Sequence, residues 1–312
     1  MNNAFKIGHF TDKKNITGCT VILCPPETRA SCHLAGSAPG SRETALLAPD
    51  KKINEIHALL LTGGSAFGLS AASGVMTYLE EKGLGYKTGF GVVPLVPAAV
   101  IYDLNIGNPG ARPTAEDAYQ ACRSAAADFK VQGSIGAGTG ATVGKWAGIS
   151  KGMKSGLGIH TLKEGGIWLT AVAVVNAVGD IVDDKGKIIG GALDDTGHFL
   201  AAKEGNKRWE QQRGVFSENT VLSAILTNAS LSKLEAYILA KRAQNGLARA
   251  VIPATTSYDG DIIFCLASGQ LSVNPDLLYE MGSEAIRLSI ISAVLKSESL
   301  GGYLAARDIR PE

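Results

Sequence analysis

Thr220 follows Asn219 at the point where a polar, charged stretch, Lys203 to Ser217, meets a short apolar run, Val221 to Leu226. A loop running into a buried strand suits an N-terminal nucleophile. Cutting the chain before the threonine frees an α-amine on the residue that carries the hydroxyl. With a pKa near ~7.7–8.0, that amine can serve as base for its own side chain. The same junction also reads as an ordinary threonine at a strand edge, where its β-branched side chain is favoured.

One glycine-rich segment invites a nucleotide-binding reading and fails it on spacing. In Ser134-Ile-Gly-Ala-Gly-Thr-Gly-Ala-Thr-Val-Gly144-Lys145 the residue after Lys145 is Trp146, where a P-loop needs Ser or Thr. Gly138 and Gly140 are followed by Val143 where a dinucleotide fingerprint needs Gly. These two glycines read as backbone packed tightly against another layer or against a substrate. Thr62-Gly-Gly-Ser-Ala-Phe-Gly68 opens a helix, so its N–H groups are expected to face an anion or to form a plain strand-to-helix turn. Cys19 and Cys24 are separated by an odd number of positions along one apparent strand, which puts them on opposite faces and argues against a shared metal.

The elements that must position these residues alternate along the chain. Gly18–Cys24 and Ala58–Leu61 read as strands, and Ser65–Lys82 as a helix with apolar residues at Phe67, Leu69, Ala72, Val75, Met76 and Leu79. A second helix is expected over Ala115–Phe129, with Thr114 as N-cap and Asp117 three residues on. Strands follow at Trp168–Asn176, Gly179–Val182, Val221–Leu226 and Ile262–Ala267. Asn228-Ala-Ser230 introduces a helix over Leu231–Ile252, and Pro275–Glu298 forms a final helix or pair. Paired strands and glycine-rich turns point to a layered α+β sandwich rather than a simple parallel sheet.

Composition narrows the function classes. Of 312 residues, 45% are hydrophobic and 19% charged, which suits a large buried core. Thirty basic and 29 acidic residues give a net charge of +1, with no electrostatic case for nucleic acid or an anionic membrane. The first fifteen residues lack a signal-peptide apolar core, and no apolar run reaches the ~20 residues that span a bilayer. A cytoplasmic location is the default expectation. Five cysteines, an odd number in a core-rich chain, argue against a disulfide framework.

Seven blocks then occur in order: Gly18-Cys-Thr-Val-Ile-Leu-Cys24, Ala38-Pro-Gly-Ser-Arg-Glu-Thr44, Leu61-Thr-Gly-Gly-Ser-Ala-Phe-Gly-Leu69, Val93-Pro-Leu-Val-Pro-Ala-Ala-Val-Ile-Tyr-Asp103, Gly136-Ala-Gly-Thr-Gly-Ala-Thr-Val-Gly144, Val175-Asn-Ala-Val-Gly-Asp180 and Asp259-Gly-Asp261. Together they resemble the L-aminopeptidase/D-esterase family, which includes the β-peptidyl aminopeptidases, over residues 7 to 305. The resemblance implies an αββα four-layer sandwich, a precursor that cuts itself before Ser or Thr, and a homotetramer. It implies one hydrolase domain over 1–312 that becomes chains 1–219 and 220–312, with Thr220 as nucleophile and Asn219 before the cut. Self-cleavage would start with attack of the Thr220 hydroxyl on the Asn219 carbonyl.

By the same resemblance, Asn176 stands where the family places an oxyanion-hole amide. Ser257 and Asp259 match a Ser-x-Glu pair that supports the nucleophile, with Asp shorter by a methylene. Tyr102 matches a tyrosine that helps position the tetrahedral intermediate. Val100 stands where aminopeptidase members carry a Glu that holds the substrate's free ammonium. A valine cannot pair with an ammonium, so the substrate is expected to be a peptide, amide or ester recognised without that charge. No cofactor is implied. The competing readings are an acyltransferase of the ornithine acetyltransferase type, which shares the self-cleaving logic, and a non-catalytic homologue.

Overall fold

The computed structural model describes residues 4–201 and 219–309. The polar stretch Lys203 to Ser217 lies outside the described residues. Two five-stranded sheets lie face to face. The first contains β1 (Lys6–Asp12), β2 (Thr17–Leu23), β4 (Ser41–Arg42), β5 (Ala58–Thr62) and β6 (Ala98–Val100), in the order β1-β2-β5-β6-β4. The second contains β3 (Arg29–Leu34), β7 (Leu157–Glu164), β8 (Ile167–Asn176), β9 (Thr220–Ala229) and β10 (Ile262–Leu271), in the order β7-β8-β9-β10-β3. Neighbours pair antiparallel except β5 with β6 and β9 with β10, which are parallel.

Alternation along each strand builds the layers. On β8, Val172 and Val174 face the first sheet, where they meet Ile22, Leu59 and Leu61. Leu169, Ala171, Ala173 and Val175 of the same strand face outward onto two helices, α3 (Lys233–Ala250) and α4 (Pro275–Leu295). On the far side, α1 (Ala72–Glu80) and α2 (Ala115–Arg123) cover Cys19, Val21, Ala58 and Leu60. The strands are apolar on both faces because each sheet is covered twice, and every leucine or valine so buried contributes ~1.5–3 kcal/mol. The result is a helix–sheet–sheet–helix sandwich of the α+β class. Cys19 packs under the helices and Cys24 against the inter-sheet core, on opposite faces as the spacing requires.

Three boundaries differ from the expectation for local reasons. The turns over Ser65–Ala71 are 3-10, entered through left-handed Gly64 and Ser65, before α1 begins at Ala72. A side chain at Gly68 would strike the Gly63 carbonyl at 2.0 Å, so these turns are wound tightly against the strand end. The Thr114–Asp117 capping box forms, but α2 ends at Arg123, because Ala126 leaves to pair with Ile7 at the edge of β1. The cap of α3 is Ser232 rather than Ser230, with Glu235 returning the bond to the Ser232 N–H.

Candidate active site

Thr220 is the first residue of β9 and pairs in register with Asn176, the last residue of β8. Both have even numbers on strands whose even positions face the first sheet, so both side chains stand on the inter-sheet face at the same end of the sandwich. On its other side β9 runs parallel to β10. Three residues before the first pair of that ladder, Leu222 with Ile262, an isolated parallel bridge joins Asn219 and Asp259. Strand register therefore gathers Asn176, Asn219, Thr220 and Asp259 from distant parts of the sequence.

The Thr220 hydroxyl is buried and donates to the Asn219 carbonyl at 2.6 Å. The Gly260 N–H donates to the same carbonyl at 2.7 Å, and the Asn219 N–H donates to Tyr258 O at 3.2 Å. The Asp259-Gly-Asp261 turn is clamped from behind by the segment after β3: Ala38 N–H donates to Asp259 O, and the N–H groups of Ala35 and Gly36 to Asp261 O. A side chain at Gly36 would lie 2.2 Å from Asp259 O and 2.4 Å from Asp261 N, so glycine is what permits this contact.

The Asn176 amide is oriented by what surrounds it. Its Oδ1 accepts from the Lys145 ammonium at 2.8 Å and from Thr142 N–H at 3.1 Å. Both are donors, which fixes the oxygen on that side. Its Nδ2 donates to Tyr102 O at 3.0 Å. An amide nitrogen carries two hydrogens, so a second N–H is left for a ligand oxygen. Lys145 also donates to Asn176 O at 3.0 Å.

Burial sets the charge states. It pulls the fully buried Lys145 down to about 7, against the opposing pull of Asp259 and Asp103. It raises Asp259, against the side-chain and backbone bonds from Thr256 and the charge of Lys145. Asp261 is pushed up to about 8, first by burial and then by the charge of Asp259, while the Val221 N–H, 2.7 Å from its Oδ1, works the other way. Asp259 Oδ2 accepts from Thr256 N–H at 2.7 Å, and its Oδ1 is buried with no hydrogen-bond partner among the described residues.

The remaining sequence-derived residues fall into two groups. Tyr102 touches the site through its carbonyl, as above. Val100 is buried in β6, and a side chain at Gly40 would meet its Cγ2 at 2.5 Å. Gly138 and Gly140 are buried against backbone and side chains of other segments: a side chain would lie 2.2 Å from Leu157 N in one case and 2.5 Å from Asp103 Cβ in the other. Ser257 is exposed, and the bonds that hold Asp259 come from its neighbour Thr256. The Thr62-Gly-Gly turn meets a carboxyl of the protein itself: Gly64 N–H donates to Asp103 Oδ1 at 2.7 Å. Lys145 and Asp261 carry no role in the sequence reading. Lys145 stands in the glycine-rich block only as a failed P-loop lysine, and Asp261 only as the end of a motif.

A four-layer sandwich brings a buried hydroxyl, an amide, an amine and two carboxyls to one strand end, and the family match makes the chain a hydrolase of peptide or amide bonds. The chain belongs to peptidase family S58, which it matches over residues 3–307. It is 39% identical to an uncharacterized aminopeptidase of Mycobacterium leprae, over 91% of this chain and 84% of that protein. It is 34% identical to a 6-aminohexanoate-oligomer endohydrolase of Kocuria sp., over 89% of this chain and 76% of that one. Among solved structures it resembles a Burkholderia sp. β-aminopeptidase with a TM-score of 0.72 at 19% identity, covering 98% of this chain and 91% of that chain. The L-aminopeptidase D-Ala-esterase/amidase of Ochrobactrum anthropi, a variant of the Ntn hydrolase fold, gives a TM-score of 0.72 at 18% identity, covering 97% and 90%. No helix among the described residues is long and apolar enough to cross a membrane.

Proposed function

We propose that this hydrolase cuts its own chain between Asn219 and Thr220 and then uses Thr220 as the nucleophile on amide, peptide or ester substrates. One observation carries the reading: the Thr220 hydroxyl is buried 2.6 Å from the carbonyl oxygen of the bond to be cut. In the first step Thr220 Oγ1 bonds to the Asn219 carbonyl carbon and its proton passes to the Thr220 nitrogen. The C–N bond then breaks to leave an ester, and water returns a hydroxyl to Asn219 and a proton to Oγ1. The freed α-amine is the base in turnover. Asn176 Nδ2 offers its second N–H to the substrate oxyanion, held in place by Lys145 and Thr142, and Asp259 Oδ1 accepts a proton beside the nucleophile.

Val100 bears on the substrate. An apolar side chain in β6 gives no partner to a free ammonium. A relative named as an endohydrolase, which by that name cuts within an oligomer, suits this reading better than strict removal of N-terminal residues. Intact mass under denaturing conditions tests the central claim. The wild-type protein is expected to resolve into pieces of residues 1–219 and 220–312, and Thr220→Ala to stay whole. A wild-type chain that remains full length on long incubation defeats the proposal.

A further inference from the structure

The carbonyl to be cut receives two hydrogen bonds in the uncut chain, one from the Thr220 hydroxyl at 2.6 Å and one from the Gly260 N–H at 2.7 Å. Only the second can last through the reaction. The hydroxyl must turn from donor to attacking atom, so its bond is lost as charge begins to gather on the carbonyl oxygen. The Gly260 N–H is fixed in the isolated parallel bridge around Asn219 and sits within the ~2.7–3.1 Å that stabilises an oxyanion. As the oxygen becomes charged, a neutral hydrogen bond becomes a charge-assisted one, shorter and about twice as strong.

Direction separates this donor from Asn176. Ladder bonds lie in the plane of a sheet and point to one neighbouring strand. The Asn219 carbonyl points toward Gly260, two residues before β10, whereas Asn176 ends β8 on the opposite side of β9. Asn176 is also engaged with Tyr102, Thr142 and Lys145. Room is made for the same arrangement. A side chain at residue 260 would sit 3.0 Å from Thr220 Oγ1 and 2.5 Å from Ala38 O, so it would crowd the attacking hydroxyl.

From these contacts we infer that the Gly260 backbone N–H is the oxyanion donor for self-cleavage, distinct from the Asn176 amide that serves substrate turnover. This rests on the self-processing reading above. As Oγ1 bonds to the Asn219 carbon, the C=O π pair moves onto oxygen and is held by Gly260. It returns when the C–N bond breaks, with the proton on the Thr220 nitrogen.

The test replaces Gly260 by glycolic acid in the full chain, which exchanges one N–H for an ester oxygen and adds no side chain. Gly63, whose N–H donates to Gly18 O at 2.9 Å away from the junction, is replaced in the same way as a control for losing one backbone hydrogen bond. Cleavage at 219/220 is followed by mass, which also separates it from hydrolysis of the new ester. The Gly260 ester is expected to cleave ~10²–10³-fold more slowly than wild type, and the Gly63 ester at near the wild-type rate. Equal slowing of both, or a Gly260 ester that cleaves at the wild-type rate, overturns the assignment while leaving self-processing intact. A wild-type chain that never cleaves removes the self-processing reading and the assignment together. Amide hydrogen exchange on the uncut Thr220→Ala protein gives a second readout that needs no ester: Gly260 is expected to be strongly protected, and exchange at the rate of an open loop contradicts the proposal.

Discussion

Replacing Asp261 with Asn is expected to make the protein more stable at neutral and alkaline pH. Asp261 is buried, its carboxyl is pushed from the ordinary 3.8 up to about 8, and its Oδ1 accepts the Val221 N–H at 2.7 Å. At pH 7 the folded state therefore holds this group as a neutral acid, which an asparagine imitates in shape while still accepting from Val221. From 3.8 to about 8 is roughly four powers of ten in proton affinity, on the order of 5 kcal/mol as an upper bound. The sign follows from proton counting. Between those two values the folded chain holds a proton that the unfolded chain has released, so stability from this group falls as pH rises. Lys145, with its folded pKa lowered to about 7, slopes the other way above pH 7, but it is common to both proteins and cancels in their difference. Urea midpoints from pH 4 to 9, measured for Asp261→Asn and its parent on the uncut Thr220→Ala background, check this. The variant should gain on the parent from about pH 4 and the gap should level off above about pH 8. Parallel curves, or a variant that loses ground as pH rises, would mean that Asp261 is ionised in the fold and that the reasoning is wrong.

Lys145→Met removes both bonds from the amine to Asn176, at Oδ1 and at the backbone oxygen, and is expected to lower kcat by roughly 10–100-fold with KM little changed, the one to the amide oxygen being worth ~1.5–3 kcal/mol. A change in KM alone would count against Lys145 as the group that orients Asn176. Gly36→Ala puts a methyl group 2.2 Å from Asp259 O and should destabilise the chain by about 1–3 kcal/mol and slow cleavage, read by thermal unfolding and mass; wild-type behaviour in both would show that the clamp is not needed. Free-amine and N-blocked versions of one peptide should give comparable kcat/KM, and a strong preference for the free amine would refute the role assigned to Val100.

Much of this architecture is readable from sequence where the signal is local. Thr114 and Asp117 mark a helix start by a capping box that needs no tertiary contact. Cys19 and Cys24 separate onto two faces by strand parity alone. What the sequence conceals is non-local. Arg29–Leu34 has no clean alternation, because β3 is buried at the edge of a sheet otherwise built from residues beyond 156. Lys145 looks like a polar residue in a glycine-rich turn until the fold brings it to Asn176. Asp261 looks like the end of a turn until the parallel β9–β10 register sets its carboxyl against the Val221 N–H. Ser257 carries a motif match, yet the chain turns so that Thr256 meets the carboxylate and Ser257 meets solvent.

The order of the second sheet, β7-β8-β9-β10-β3, has a consequence for the life of the molecule. A cut at 219/220 would divide that sheet between two polypeptides, with the 220–312 piece supplying two adjacent inner strands, β9 and β10, flanked by β8 and β3 of the other. The pieces would be interlocked rather than docked, so neither could leave without tearing hydrogen bonds on both flanks. A folded chain assembles itself once, as a unimolecular event. After the cut the reverse journey becomes an encounter of two molecules that depends on concentration. The enzyme would then persist by the height of its unfolding barrier rather than by its equilibrium stability, and damage that opens it in dilute solution would not be undone.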